Sequence, residues 1–385
     1  MIKMQLAIFT GGDLRTFGGG ERWVSELISR LSVSTSIFSY KEKTNLRLNK
    51  DDIEKLHISK VYYYNVITIP LIKERIPKIF SWFKTISILM DYQIIYNLDP
   101  SISTNLLLLL FSKLSHKKYV FGIHSEALRD TPLFKNVWRS IALRLYKRFR
   151  NFILLSIPNI HVLTEEDQTI LKNLGYAGNI FYIPHFIYFK ISADKIKFNS
   201  KKFIVLFVGR LSVYHKGIDL LTTIINTTLQ KNNKIQFHIV GSESEGNQLL
   251  TRLVKEFPKN VRWLKFVSDN RLVAEYNKSN LFIFTSRYET FGLSLLEAQT
   301  YGLPVIAFKA KGPSEILKVW YQGTIINPYF IDNFSDEILK FYESWKTDKS
   351  KYLENKKLIM RFVNKNFSEK DMIRRFEEML INANY

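Results

Sequence analysis

Residues 286–308 read SRYETFGLSLLEAQTYGLPVIAF, and the preceding LFIFT at 281–285 completes the stretch that decides the fold. LFIFT is a short apolar run rich in aromatic and β-branched residues, the signature of a strand buried on both faces. A turn at Phe291-Gly292-Leu293 opens a helix through Leu295, Leu296 and Ala298. Gly302-Leu303-Pro304 then stops the helix, and VIAF resumes an apolar strand. Strand, helix and strand in this order form a βαβ unit with parallel strands.

Two carboxylates lie in this unit. Glu289 stands just before the turn, and Glu297 lies inside the apolar run LLEA. The helix start offers unpaired N–H groups and a positive dipole end beyond the strand. There Glu289 can accept hydrogen bonds from ligand hydroxyls, and Gly292 allows close backbone approach. Glu297 is costly in an apolar setting unless it meets donors, and the vicinal hydroxyls of a ribose would supply them. The competing reading makes Glu289 a charge on the helix dipole and Glu297 half of a core ion pair.

The same alternation runs outward in both directions. Strands are expected at 203–208, 235–240, 261–264, 281–285, 304–308 and 324–326. An earlier set is expected at 4–9, 36–40, 61–64, 92–96, 119–123, 160–163 and 180–183, with a helix over 21–31 after the first of them. Between the sets, 188–202 is a mixed, Lys-rich stretch that reads as a linker. The expectation is an α/β protein with two Rossmann-like, doubly wound parallel-sheet domains facing a central cleft. The first covers 1–190, the second 203–365, and a terminal helix at 366–385 packs back on the first. Ligands of such sheets sit beyond the carboxyl ends of the strands, so the site is expected in that cleft.

Two more loops carry candidates. After the strand at 203–208 come Gly209-Arg210-Leu211-Ser212 and then Lys216-Gly217, opening a helix. Arg210 has the planar fork suited to phosphate oxygens and Lys216 is a point charge for the same group. In a chain this basic, two solvated cations are the plain alternative. After the first strand, Thr10-Gly11-Gly12-Asp13 and Gly18-Gly19-Gly20-Glu21-Arg22 could cradle a phosphate on backbone amides, or form a flexible loop. The dinucleotide fingerprint G-x-G-x-x-G is absent, which disfavours a dehydrogenase. His124 ends the strand at 119–123; a lone histidine is ordinarily structural, but the strand end gives it a place at the site.

Composition narrows the classes further. The 385 residues contain no cysteine, so disulfides and thiolate chemistry are excluded. No apolar run reaches the length of a transmembrane helix, and 1–10 lacks a signal-length apolar region. Formal net charge is +21 from 56 Lys and Arg against 35 Asp and Glu. That balance is compatible with nucleic acid, an anionic membrane surface or phosphorylated substrates.

Gly209-Arg210-Leu211-Ser212 with Lys216-Gly217, and the Glu289-x7-Glu297 block with Gly302-Leu303-Pro304-Val305-Ile306, resemble family 4 retaining glycosyltransferases of the GT-B fold. The glycine run at 18–20 and the segment IHVLTEEDQTILKNLG extend the likeness over nearly the whole chain. The resemblance implies sugar transfer from a nucleotide diphosphate sugar, foremost a UDP-sugar, with retention and with no required metal or other cofactor. It implies that Arg210 and Lys216 bind the diphosphate and that Gly19 and Gly20 add amide contacts. Glu297 would hold the ribose, Glu289 with Phe291, Gly292 and Leu293 the donor sugar, and His124 would stand beside the transferred sugar. Arg210, Lys216, Glu289 and His124 form the catalytic set of this reading. Two departures stand out: Gly241-Ser242-Glu243 replaces the usual Gly-x-Gly, and IPHFIYF stands where Ile-Pro-Asn-Gly is usual.

Residues 131–164 contain no Asp or Glu but hold Lys135, Arg139, Arg144, Lys147, Arg148 and Arg150. As a helix, this segment would gather Trp138, Ile141, Leu145, Phe149 and Phe152 on one face and the cations on the other. An anionic membrane surface through 135–153 is one partner of such a helix; packing on the first-domain sheet is the alternative. The expected setting is cytoplasmic, peripheral on the inner face of the plasma membrane. The acceptor would be a glycan or lipid-linked glycan of a surface polymer such as capsule or O-antigen. Rival readings are a sugar-nucleotide epimerase, a phosphorylase, or a nucleic-acid-binding protein. No nucleic-acid motif supports the last, so no nucleic acid is expected.

Overall fold

The computed structural model describes residues 4–12, 19–40, 60–69, 74–124, 137–187, 201–242, 244–265 and 267–385. The chain divides into two compact units, Met1–His185 with Lys370–Tyr385, and Phe186–Glu369. The expected linker lies outside the described residues up to position 200.

The first unit is built on a parallel sheet. Its strands in chain order are β1 (Gln5–Phe9), β2 (Ser34–Tyr40), β3 (Lys60–Tyr64), β6 (Ile94–Asn97), β7 (Lys118–Ile123), β8 (Asn159–Val162) and β9 (Asn179–Tyr182). They lie side by side in the order β3-β2-β1-β6-β7-β8-β9. The chain runs outward from β1 to β3 and then returns to the other side of β1, so the winding reverses between β1 and β6. Helix α1 (Gly19–Ile28) serves the first half. Helices α2 (Ile79–Leu89), α3 (Ile102–Leu114), α4 (Val137–Leu155) and α5 (Glu165–Asn173) serve the return. Buried residues of these four, among them Trp82, Leu108, Leu154 and Leu171, join Phe9, Phe38, Tyr119 and Ile160 in one core. An antiparallel hairpin, β4 (Val66–Ile69) with β5 (Glu74–Pro77), was not expected from the sequence.

The second unit repeats the plan with β10 (Ile204–Val208), β11 (Gln236–Val240), β12 (Val261–Trp263), β13 (Leu281–Phe284), β14 (Val305–Phe308) and β15 (Gly323–Ile326). Their order is β12-β11-β10-β13-β14-β15, all parallel, with the reversal between β10 and β13. The stretch at 281–308 is therefore β13, the helix α10 (Leu293–Thr300) and β14, as its sequence pattern requires. Short α6 (Val213–Lys216) and long α7 (Ile218–Lys231) follow β10. Helix α7 buries Ile218, Leu221, Ile225 and Leu229 at helical spacing against the sheet. Helix α8 (Asn247–Glu256) follows β11, α9 (Asp269–Lys278) follows β12, and α11 (Lys311–Ile316) follows β14; α12 (Ile331–Thr347) and α13 (Lys349–Asn366) come after β15. Last comes α14 (Glu369–Asn382), whose residues from Lys370 onward belong to the first unit.

Helix α4 occupies the basic segment, and the described part of its expected apolar stripe faces away from the sheet rather than packing on it. Ile153 and Leu154 are buried, whereas Leu145, Phe149 and Phe152 are 64%, 49% and 65% exposed. Arg144 and Arg148 are exposed beside them. The position of Leu154 in the core fixes the rotation of the helix and turns the apolar stripe outward. Lys135 lies outside the described residues, as do the side chains of Trp138, Arg139 and Ile141.

Candidate functional site

In the second unit, the winding reversal brings the loop after β10 beside the loop after β13. Crevices at such reversals, outside the carboxyl ends of the strands, are where doubly wound sheets hold ligands. Ser212 caps α6, accepting from the His215 N–H at 3.3 Å and donating to Glu245 Oε1 at 2.7 Å. Val213 N–H donates to the same oxygen at 2.9 Å. These bonds hold the Glu245 carboxyl below its usual range, the Ser212 hydroxyl first among them.

Lys216 ends α6. Its Nζ lies 2.5 Å from Glu289 Oε2, and both side chains are only 16% exposed. Its carbonyl accepts from Thr285 Oγ1 at 2.8 Å. Arg287, two residues before Glu289, ties the two loops together. Its N–H donates to His215 O at 3.0 Å, and its guanidinium donates to both Asp219 oxygens at 2.8 and 2.6 Å. The hydrogen bond to Arg287 lowers the Asp219 carboxyl, and the reciprocal bond raises Arg287. Arg210 is exposed and makes no hydrogen bond or ion pair with the described residues. The crevice thus holds one paired cation on a braced loop and one unpaired cation at its edge.

The turn before α10 is held from both sides. Gly292 adopts φ 99°, which frees the chain to enter the helix, and its carbonyl accepts from the Leu295 and Leu296 amides at 3.0 Å. The amides of the first turn, Leu293 and Ser294, have no acceptor within the helix. Phe291 is buried against Phe367 at 6.0 Å between ring centres. The start of α11 closes on this turn: Gly312 N–H donates to Glu289 O at 3.2 Å. A Cβ at Gly312 would stand 2.2 Å from the Phe291 carbonyl oxygen, so only glycine fits. Glu297, one turn into α10, is 8% exposed, and its Oε2 accepts from Tyr276 Oη at 2.8 Å. The Tyr276 ring stacks on Tyr301 at 5.2 Å.

In the first unit, the reversal lies between the ends of β1 and β6. Tyr40 and Arg75 donate to Gly11 O at 3.0 and 2.8 Å, while Thr10 and Ser39 donate to Gly12 O at 2.8 and 3.1 Å. A trans peptide opposes its C=O and N–H, so the Gly12 N–H is turned away from the donors that hold Gly11 O. Residues 13–18 lie outside the described residues. Gly19 and Gly20 are the first two residues of α1, and Gly20 has open space on its Cβ side.

His124 belongs to a cluster of three imidazoles. Its ring lies 4.4 Å from Trp23, 5.1 Å from His161 and 5.1 Å from His185, centre to centre. His161 Nε2 faces the Ile183 carbonyl oxygen at 2.8 Å, so in the neutral ring this nitrogen carries the proton and Nδ1 accepts. Tyr96 Oη, 2.6 Å from that Nδ1, must donate to it, and its oxygen then accepts from His124 Nε2 at 3.0 Å. The chain of donors leaves His124 Nδ1 as the acceptor. Burial, followed by the His161 and His185 charges, pushes the His124 imidazole well below its usual range. Burial likewise takes His185 well below that range and His161 to about 4. The cluster is therefore neutral at neutral pH and presents an acceptor rather than a cation at His124. Among the described residues, no group of three or more His, Cys, Asp or Glu is placed to hold a metal.

The structure brings Lys216 and Glu289 together, and sets Gly292 at the start of the helix that carries Leu293 and Glu297. It places His124, Gly19 and Gly20 in the other unit. Sequence reasoning passed over Arg287, Asp219, Tyr276, His161 and His185. Arg287 lies inside the quoted stretch beside Glu289, the one available signal; Asp219, its partner, is 68 positions away.

Residues 189–358 match the family described as Glycosyl transferases group 1. A poly(ribitol-phosphate) alpha-N-acetylglucosaminyltransferase of Staphylococcus aureus is 31% identical over 219 residues, 56% of this chain and 41% of its own. An amylovoran biosynthesis glycosyltransferase of Erwinia amylovora is 34% identical over 167 residues, 41% of this chain and 45% of its own. The matched stretches thus span less than half the length of these curated relatives. Among solved structures, Anabaena HepE in complex with UDP superposes with a TM-score of 0.73 at 18% identity, covering 98% of this chain and 99% of that one. Staphylococcus aureus TarM, in a complex that includes UDP, gives 0.72 at 16% identity over 99% and 100%. Those likenesses establish the shared fold: two Rossmann-like domains of the GT-B type.

Proposed function

From the membership of residues 189–358 in the glycosyl transferases group 1 family, we propose that this protein moves a sugar from a nucleotide diphosphate sugar to a glycan acceptor. A UDP-sugar is the donor of this reading and a cell-surface polysaccharide its pathway. The poly(ribitol-phosphate) and amylovoran activities of the Staphylococcus and Erwinia relatives, and the UDP bound to the Anabaena protein, support both choices.

The observation that carries the proposal is the half-buried Lys216–Glu289 pair beside exposed Arg210, at the winding reversal of the second sheet. Arg210 and Lys216 receive the diphosphate and stabilise the negative charge that develops on it as the glycosidic bond breaks. Lys216 then exchanges part of its contact with Glu289 for a phosphate oxygen. Glu289 and the first-turn amides of α10 take hydroxyls of the donor sugar, and Glu297 takes the ribose. His124 contributes a neutral acceptor to a sugar hydroxyl. In this reading transfer proceeds with retention, as the resemblance to the retaining glycosyltransferases implies, along an oxocarbenium-like path in which the leaving phosphate takes the acceptor's proton on the same face.

Thermal-shift screening of UDP-, GDP- and dTDP-sugars against the wild type, Lys216→Ala and Glu297→Ala tests this. One donor should raise the melting temperature of the wild type, and the rise should shrink in both variants. No rise with any nucleotide sugar overturns the proposal.

A further inference from the structure

We infer that the outer surface of the first unit's helices α2, α3 and α4 is a docking face for an anionic lipid bilayer. The inference does not depend on glycosyl transfer.

The three helices lie together with α5 on one face of the sheet, with their buried sides in one core. Globular proteins fill the outward side of such a layer with polar residues; here the outward side is apolar and basic. On α2, Phe80 is 88% exposed and Phe83 65%, with Lys84 exposed next to them. On α3, Leu110 is 49% exposed and Leu114 84%, beside exposed Lys113. On α4, exposed Leu145, Phe149 and Phe152 follow one another at helical spacing, with exposed Arg144 and Arg148 each directly before one of them. Single exposed apolar residues need no explanation, but aligned stripes on neighbouring helices mark an interaction surface.

Charge identifies the occupant. No Asp or Glu occurs anywhere in α2, α3 or α4. A second copy docking through this face would set basic side chains against basic side chains, which the like-charge penalty opposes. A nucleic acid would answer the cations but leave Phe80, Leu114 and Phe152 in water. A bilayer rich in anionic headgroups answers both: the Lys and Arg lie at headgroup depth while the Phe and Leu side chains enter the acyl boundary. No helix of the described residues is long and apolar enough to cross a membrane, so the contact lies on the surface.

Co-sedimentation of the full chain with vesicles of phosphatidylcholine alone, and with one third phosphatidylglycerol, tests the face. Binding is expected to the anionic vesicles only, and to weaken as salt is raised. Phe149→Asp with Phe152→Asp should lower the partition coefficient by about tenfold or more, because these changes remove inserted apolar surface and add charge. Arg144→Glu with Arg148→Glu should lower it comparably. All four positions are exposed, and unchanged melting temperatures will show that folding is intact. Three results overturn the inference: no binding to anionic vesicles at low salt, full binding by both double variants, or loss of vesicle binding to competing RNA with the Phe149→Asp, Phe152→Asp variant still binding RNA normally.

Discussion

At the scale of single residues, neutrality of the histidine cluster has a measurable consequence. The folded pKa of His161 is about 4 against an ordinary 6.5, so the unfolded chain binds the proton first as pH falls. Stability is therefore full above about 6.5 and declines as the pH drops toward 4. His124 and His185, lowered in the same direction, add to the decline. Urea denaturation across this window should show the loss, and His161→Gln, although less stable at neutral pH, should show a shallower slope. An equal slope in the variant would place the proton uptake elsewhere. The same geometry explains why the cluster escaped sequence reading. His161 lies in the apolar β8 and His185 in the departing stretch IPHFIYF, where neither is marked as a partner of His124, and only the fold brings them to it.

At the scale of elements, the turn into α10 depends on two glycines for different reasons. At Gly292 a Cβ would meet Phe284 and Glu289 at an ordinary 3.5 Å, so Gly292→Ala costs backbone strain alone, about 1–2 kcal/mol. At Gly312 the clash with the Phe291 carbonyl forces the turn itself to move. Gly312→Ala should therefore reduce the donor-induced thermal shift more than Gly292→Ala does. The opposite order would mean that the turn does not position Glu289. Strand positions were legible throughout: each expected strand is present within two residues of its expected bounds, because buried parallel strands are continuous apolar runs between turn residues. The β4–β5 hairpin was not, since Val66–Ile69 continues the apolar pattern of β3 with a single residue between them. Outward rotation of the apolar stripe on α4 was equally hidden, because periodicity shows that a stripe exists but not which way it faces.

At the scale of the whole molecule, the chain visits the first unit twice. Helix α14 belongs to that unit and not to the one it follows, and Phe376 is 1% exposed with its ring 5.1 Å from Tyr96 and 5.9 Å from His161. Phe376→Ala should cost about 3–5 kcal/mol and lower the melting transition of the first unit. Nucleotide affinity in the second unit should change little. A variant that unfolds both units in one transition would show that they are a single cooperative body.

The central claim is that the second unit binds a nucleoside diphosphate through Arg210 and Lys216. Titration calorimetry of UDP against UMP tests it most directly, with the wild type, Arg210→Ala and Lys216→Ala. Charge-assisted bonds of this kind are worth about 1.5–3 kcal/mol each. UDP should therefore bind the wild type more tightly than UMP does, and each variant should lose about 10- to 100-fold of UDP affinity. UDP binding that survives both substitutions unchanged, or no difference between UDP and UMP in the wild type, would contradict the account.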